Sequence, residues 1–186
     1  MRSAVRRFLS WLCGLGFAAS GEGLVCAPFS SVFRGRQNIF IGDRVHIGAR
    51  AYFSVHESLT IDDDVLLGPE VMILSGSHPI QNVGETINTS TEGVNAPCKI
   101  ERDSWLAARV TVIGDVTIGE GAVVGAGSLV LGDVPPYTIA AGAPCRPLRK
   151  RFSDDELRRH LTALGRRGEA ESIINRRNSL LARFDR

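Results

Sequence analysis

Residues 100–130 read IERDSW LAARVT VIGDVT IGEGAV VGAGSL V, and an aliphatic side chain returns at every sixth position: Ile100, Leu106, Val112, Ile118, Val124 and Val130. Two residues ahead of the later ones stand Ser104, Val110, Val116, Ala122 and Ser128. A period of six matches neither the 3.6 of an amphipathic helix nor the stripe of a lone strand. It suits a solenoid whose three flat sides are one short strand each. At ~3.3 Å per residue each side is roughly 20 Å long, and successive coils stack at ~4.8 Å. One turn then takes about eighteen residues. Strand alternation sends the aliphatic residue and the small residue two before it inward, and the residue between them outward.

The same period runs through Ile41, Ile47 and Phe53, slips by two residues at His56 and Glu57, and resumes through Ile61, Leu67 and Ile73. The slip reads as a bulge or a corner. Gly42, Gly48, Gly68, Gly119 and Gly125 each follow an aliphatic repeat residue. They are expected to supply corner torsions that other residues adopt only at a cost. The pattern divides the chain into an N-terminal helical or capping segment at 1–35, a coil domain at 36–147 with a loop excursion at 76–97, and a helical tail at 148–186.

With 186 residues and 44% hydrophobic content, the chain can bury one continuous core. Net charge is only +2, yet residues 146–186 hold 12 Lys and Arg against 6 Asp and Glu. Most of the far tail reads as a solvated face, with His160 among its exposed residues. Arg146, Arg149, Lys150 and Arg151 directly follow the last coil, where a phosphate-bearing ligand could lie. Ser153 and Glu156 form a capping box ahead of Leu157, Leu161 and Leu164. Ala170, Ile173, Ile174, Leu181 and Phe184 make a second helical stripe, read as packing surface.

Cys13, Cys26, Cys98 and Cys145 lack CxxC spacing and are expected to be reduced, structural thiols in a cytoplasmic protein. Arg2, Arg6 and Arg7 precede an apolar stretch from Phe8 to Ser20. That segment is too short for a transmembrane helix. It fits a helix capping the solenoid, an interfacial helix in peripheral contact with the inner face of a membrane, or a cleaved signal. No nucleic-acid partner is expected.

Between Ile73 and Ile100 the register fails, and excursions of that length in compact domains are usually functional. Extending the register past Ile73 places Ser77 inward and His78 outward, immediately before Pro79, beside the loop root. His78 is therefore the leading candidate for chemistry. His56, in the two-residue slip and close to one coil away, can face the same cleft and is a candidate for substrate contact. His46 lies outward on a regular coil and reads as surface or subunit contact. Asn82, Asn88, Thr89 and Ser90 give the loop polar side chains for a hydroxyl or an amine acceptor.

With these residues placed, the chain resembles the hexapeptide-repeat, left-handed parallel β-helix acyltransferases, in particular the galactoside, maltose and polysaccharide O-acetyltransferase branch. The resemblance covers roughly residues 36–155. It rests on Leu74-Ser-Gly-Ser-His-Pro79, Asp103-Ser-Trp-Leu-Ala-Ala108, Val124-Gly-Ala-Gly-Ser128, Asp133-Val-Pro-Pro-Tyr137 and Ala141-Gly-Ala-Pro-Cys-Arg146. It implies a left-handed solenoid with an extended active-site loop and a C-terminal helical tail. It further implies a homotrimer with sites between subunits, acetyl-CoA as acyl donor, and no metal.

By position, the resemblance makes His78 the catalytic histidine and sets Trp105 at the cleft near the cofactor thiol. It runs the pantetheine arm along Ala126 and Val130 to Gly132, with Leu131 among them, and places Arg146 and Arg149 near the nucleotide phosphates. His56 stands where sugar acetyltransferases often carry an acidic, acceptor-contacting residue. Leu131-Gly132 replaces a common Thr followed by Lys or Arg, so phosphate binding leans more on Arg146, Arg149 and Lys150. Ala107-Ala108 replaces the usual Gly followed by Ser, Ala or Asn, which leaves a backbone N–H near Ala107 or Ala108 as the source for an oxyanion donor.

A hydroxyl attacks a thioester only as its proton is removed, and a neutral imidazole, with an unperturbed pKa of ~6.5, suits that task near neutrality. The sequence reading is an acetyl-CoA-dependent O-acetyltransferase acting on a sugar or glycan, with His78 as general base. Biosynthesis of a surface glycan is the setting that the resemblance implies. An N-acetyltransferase of an amino sugar or nucleotide-linked sugar and a non-catalytic solenoid scaffold remain alternatives. A metal hydratase on the same solenoid would need three converging histidines.

Overall fold

The computed structural model describes residues 14–90 and 93–184. They form a left-handed parallel β-helix with three walls, closed at one end by a helical tail. The first wall stacks β1 (Ala19–Ser20), β3 (Ile39–Ile41), β6 (Leu59–Ile61), β11 (Cys98–Ile100) and β14 (Val116–Ile118). The second stacks β4 (His46–Ile47), β7 (Leu66–Leu67), β12 (Trp105–Leu106), β15 (Val123–Val124) and β17 (Thr138–Ala141), finishing with the antiparallel β18 (Arg146–Lys150). The third stacks β2 (Val32–Arg34), β5 (Tyr52–Ser54), β8 (Met72–Leu74), β13 (Thr111–Ile113) and β16 (Leu129–Val130).

The predicted step of eighteen holds in the C-terminal coils, where Ile100 pairs with Ile118 and Val112 with Val130. The earlier coils advance by 20, pairing Ile41 with Ile61 and Phe53 with Ile73. The two extra residues are the slip at His56 and Glu57. Inward positions fall into columns such as Ile41, Ile61, Ile100 and Ile118, or Phe53, Ile73, Val112 and Val130, all within one buried core. Ser104 and Ser128 are buried at corners, where their hydroxyls donate to the carbonyls of Glu101 and Gly119 and of Gly125. A small hydroxyl therefore serves where an aliphatic residue would leave carbonyls unpaired.

The coil begins earlier than expected. Ala19–Ser20 and Val32–Arg34 already pair with Phe40–Ile41 and Tyr52–Ser54, so this part of the supposed 1–35 capping segment belongs to the walls. At the other end β18 folds back antiparallel on β17 and extends the second wall through Lys150. The reading of residues 1–13 lies outside the described residues. Among the described residues no helix is long and apolar enough to cross a membrane.

The repeat glycines act differently from the expectation. Gly42, Gly48, Gly68, Gly119 and Gly125 do not have positive φ. They are small because the next coil lies against them: a Cβ on Gly68 would sit 2.8 Å from both the carbonyl carbon of Ala107 and the nitrogen of Ala108. Left-handed torsions fall instead on side-chain-bearing corner residues, with φ of 56° at Arg44, 60° at Asp64 and 54° at Asp103 along one edge, and 59° at Arg50, 61° at Glu70 and 60° at Arg109 along another. Each such torsion costs about 1 kcal/mol or more. Ion pairs between stacked corners offset part of it: Arg44 with Asp64 at 2.6 Å, and Glu70 with Arg109 at 2.7 Å and with Arg50.

The tail packs on the last coil through α1 (Asp154–Ala163) and α2 (Ala170–Leu181). Ser153 and Glu156 make the predicted capping box. Leu157, Leu161, Ala170 and Ile174 bury against Tyr137. The fully buried Arg177 donates to the Phe152 carbonyl and to Asp154. Glu120, itself buried, accepts from the Tyr137 hydroxyl at 2.8 Å and from both terminal nitrogens of Arg166. Burial, and then the Glu120 charge, push the Tyr137 hydroxyl well above its ordinary pKa.

Contrary to its reading as a solvated residue, His160 packs against both the Tyr137 and the Phe152 ring, at centroid distances of 5.7 and 5.0 Å, with Nε2 buried. Arg166→Met should lower stability by about 3 kcal/mol, because it strands the Glu120 carboxylate in a desolvated place. Adding Glu120→Gln should restore most of the loss, since Tyr137 keeps an acceptor. Urea midpoints of the single and double variants check this.

Cys98 and Cys145 are buried free thiols, as expected, and burial pushes Cys98 up to about 12. Cys26 departs from the expectation of reduced thiols: it is disulfide-bonded. A disulfide is unusual in a reducing cytoplasm, so this cysteine does not support the cytoplasmic expectation.

Candidate active site

The chain leaves the coil after β8. Ser75 is still inward and fully buried, with its hydroxyl accepting from the His56 N–H at 3.0 Å. The inward side chain here is Ser75, not Ser77, because the backbone turns away one pleat earlier than the extended register implies. Gly76–Ser77 (β9) then pairs antiparallel with Val94–Asn95 (β10), so a short hairpin forms the root of the excursion. His78 follows β9 and is exposed at that root.

His56 reaches the same place from the neighbouring coil. Its backbone is held on both sides, the N–H by Ser75 and the carbonyl by the Asn38 amide at 3.2 Å. Its Nε2 lies 3.4 Å from the Ser54 hydroxyl. A Cβ on Gly76 would come within 2.7 Å of the His56 ring, so glycine there makes the space that the imidazole occupies.

Two clefts meet at this histidine pair. One, of about 380 Å³, is lined by His56, Gly76, Ser77, His78, Ser90, Gly93 and Asn95. The other, of about 520 Å³, is lined by Arg34, Gly35, Gln37, Asn38, Ser54, Val55, His56 and His78. Among the described residues neither lining includes a carboxylate. Asn82 does not line either cleft; its amide donates to Ser90 at 2.7 Å and to Glu85 at 3.1 Å, and Ser90 does face the first. Among the described residues no three metal-ligating side chains converge.

The residues assigned to the cofactor lie elsewhere. Trp105 points outward on the second wall, exposed, in register with Leu66 and Val123. Ala126 is exposed at the corner after that wall, and Leu131 is exposed just beyond β16. Arg146 and Arg149 are exposed on β18 and donate to the neighbouring carbonyls of Cys145 and Lys150; among the described residues neither meets a carboxylate, so both retain charge for an anion. Lys150 is already held by Asp154 at 2.8 Å.

The Ala107 N–H is engaged by the Val124 carbonyl, which leaves Ala108 as the backbone donor without a bond in the ladder. An exposed indole, small wall residues and two arginines without carboxylate partners fit a thin, phosphate-bearing cosubstrate. No residue of this set lines either histidine cleft. Trp105, Arg146 and Arg149 thus sit on the second wall, while the histidine clefts open beside the third.

Sequence reasoning missed Arg34, Gln37, Asn38 and Ser54. The signal was a column spaced by 20, since Arg34 stacks on Ser54 and Ser54 on Leu74. It was hidden because residues before 36 were not recognised as coil.

Comparison with known proteins follows the same lines. Residues 97–132 match the family model described as bacterial transferase hexapeptide (six repeats). Galactoside O-acetyltransferase of Escherichia coli is 34% identical over 115 residues, 59% of this chain and 55% of that protein. The chain spans about half the length of the curated relatives it matches.

Among solved structures, a hexapeptide-repeat acetyltransferase from Vibrio cholerae complexed with acetyl-CoA is 31% identical, with TM-score 0.67, covering 82% of this chain and 77% of that one. A galactoside acetyltransferase in complex with coenzyme A is 33% identical, with TM-score 0.68, covering 75% and 68%. The repeat, the three-walled coil and these similarities agree, and the chain belongs to the hexapeptide-repeat acetyltransferase family.

Proposed function

We propose that this chain transfers an acetyl group from acetyl-CoA to a hydroxyl of a sugar or glycan, with His78 as general base, in sites shared between subunits of a homotrimer. The observation that carries the reading is the exposed His78 at the large break in the coil, facing two polar clefts beside the third wall, while Trp105, Arg146 and Arg149 lie on the second wall, Ala108 and Ala126 at the corner after it, and Leu131 at the end of the third wall two coils from β8. A flat wall is a poor pocket, and closed cyclic symmetry brings one copy's wall to another's histidine.

In the reaction the His78 imidazole takes the hydroxyl proton as the acceptor oxygen bonds to the thioester carbonyl carbon. The C–S bond then breaks, and the imidazolium returns its proton to the departing CoA sulfur. The Ala108 N–H is the candidate donor to the negative charge on the carbonyl oxygen. Trp105 covers the thiol end of the cosubstrate, and Arg146 and Arg149 hold its phosphates.

Acetyl-CoA at a hundred times its Kd should raise stability by about 2.7 kcal/mol, through mass action on the folded state. Thermal unfolding with and without acetyl-CoA, coupled to CoA release in the presence of a sugar panel, tests the proposal. A non-catalytic scaffold would show neither effect.

A further inference from the structure

Resting on the acetyltransferase reading, we propose that the acceptor is an anionic sugar, carrying a carboxylate or a phosphate, and that Arg34 recognises that group. Arg34 lies on β2 and lines the larger histidine cleft together with His56, His78, Gln37 and Asn38. Its guanidinium carbon stands 5.9 Å from the centre of the Tyr52 ring, which steadies the long side chain over the third wall.

Most arginines on the coil are tied to acids: Arg44 to Asp64, Arg50 and Arg109 to Glu70, Arg102 to Asp63, Arg151 to Asp103. Arg34 has no carboxylate partner among the described residues. An arginine left unpaired in a cleft offers a planar fork that matches a carboxylate or a phosphate in two parallel bonds.

The rest of the cleft agrees in sign. A neutral sugar presents hydroxyl protons, which a carboxylate receives well, and among the described residues no Asp or Glu lines either histidine cleft. Gln37 and Asn38 add amides able to donate to an anion, although the Asn38 amide is partly used by the His56 carbonyl. An ammonium acceptor would meet Arg34 without a compensating acid, so the same geometry disfavours transfer to a free amine.

The test compares affinities within two pairs, methyl glucuronoside against methyl glucoside and glucose 1-phosphate against glucose, by calorimetry in the presence of CoA. The wild-type protein should bind at least one charged member about tenfold or more tighter than its neutral partner. Which pair shows the larger ratio tells carboxylate from phosphate. In Arg34→Gln that ratio should fall to about one, and Arg34→Lys should keep part of it. Equal affinities within both pairs, no binding of either charged member, or a preference that survives Arg34→Gln would overturn the inference. If acetyl-CoA stabilises the protein while the preference is missing, only this inference falls; if acetyl-CoA fails to stabilise it, the reading beneath it falls as well.

Discussion

His78→Ala should lower kcat by about a hundredfold or more while leaving the affinity for acetyl-CoA nearly unchanged. Positioned general bases contribute ~10²–10⁴-fold, because the acceptor proton must leave as the oxygen attacks. The change removes the acceptor of the hydroxyl proton and leaves Trp105, Arg146 and Arg149, the groups proposed to hold acetyl-CoA, in place. Folding should be indifferent, since His78 is exposed and contributes nothing to the core. Steady-state kinetics and a thermal shift with acetyl-CoA read the two parts separately. Unchanged turnover would remove His78 from the reaction.

A single added methyl group is expected to destabilise the coil as much as stranding Glu120 does. Gly68→Ala forces a Cβ to within 2.8 Å of the Ala107–Ala108 backbone, which belongs to the next coil and cannot rotate away. Overpacking of this kind costs typically 1–3 kcal/mol, and rigid stacked backbone puts this site at the upper end, about 3 kcal/mol. Because the displaced corner includes the Ala108 N–H, activity should fall with stability. Gly168→Ala is the control: a Cβ there meets nothing within 4 Å, and the denaturation midpoint should move by less than about 0.5 kcal/mol. If Gly68→Ala proves as mild as Gly168→Ala, the coils are not held at the spacing described.

These two variants also mark what the amino-acid sequence made legible. His78 was reachable because it stands where a six-residue period fails, and a break in a strict repeat is visible without coordinates. The core columns were reachable for the same reason, since each aliphatic repeat residue stacks on its counterpart one turn away. The reason for the glycines was not: the distance between coils is a tertiary quantity, and a Gly required by a neighbour's backbone looks in sequence like one required by its own torsions. The left-handed corners at Asp103 and Arg109 carry no local signature either, because their support comes from residues a whole coil or more away.

The tail divides in the same way. The Ser153 capping box is local and was read directly. The buried setting of His160 depends on Tyr137, many residues earlier, and a helical pattern alone placed it in solvent. Arg34 lies outside the residues in which the repeat was recognised, so the arginine facing His56 and His78 emerged only from the fold. That the histidine clefts open beside the third wall while Trp105, Arg146 and Arg149 lie on the second followed only from the topology.

That separation gives the most direct measurement. Two inactive variants, His78→Ala and Trp105→Ala, can be coexpressed under different tags and the mixed oligomers purified. If each site joins one copy's His78 to another copy's Trp105, every mixed trimer contains one intact site of its three, and the purified mixed trimers should show about a third of the wild-type activity. Mixed oligomers no more active than the sum of the two separate variants would contradict the account.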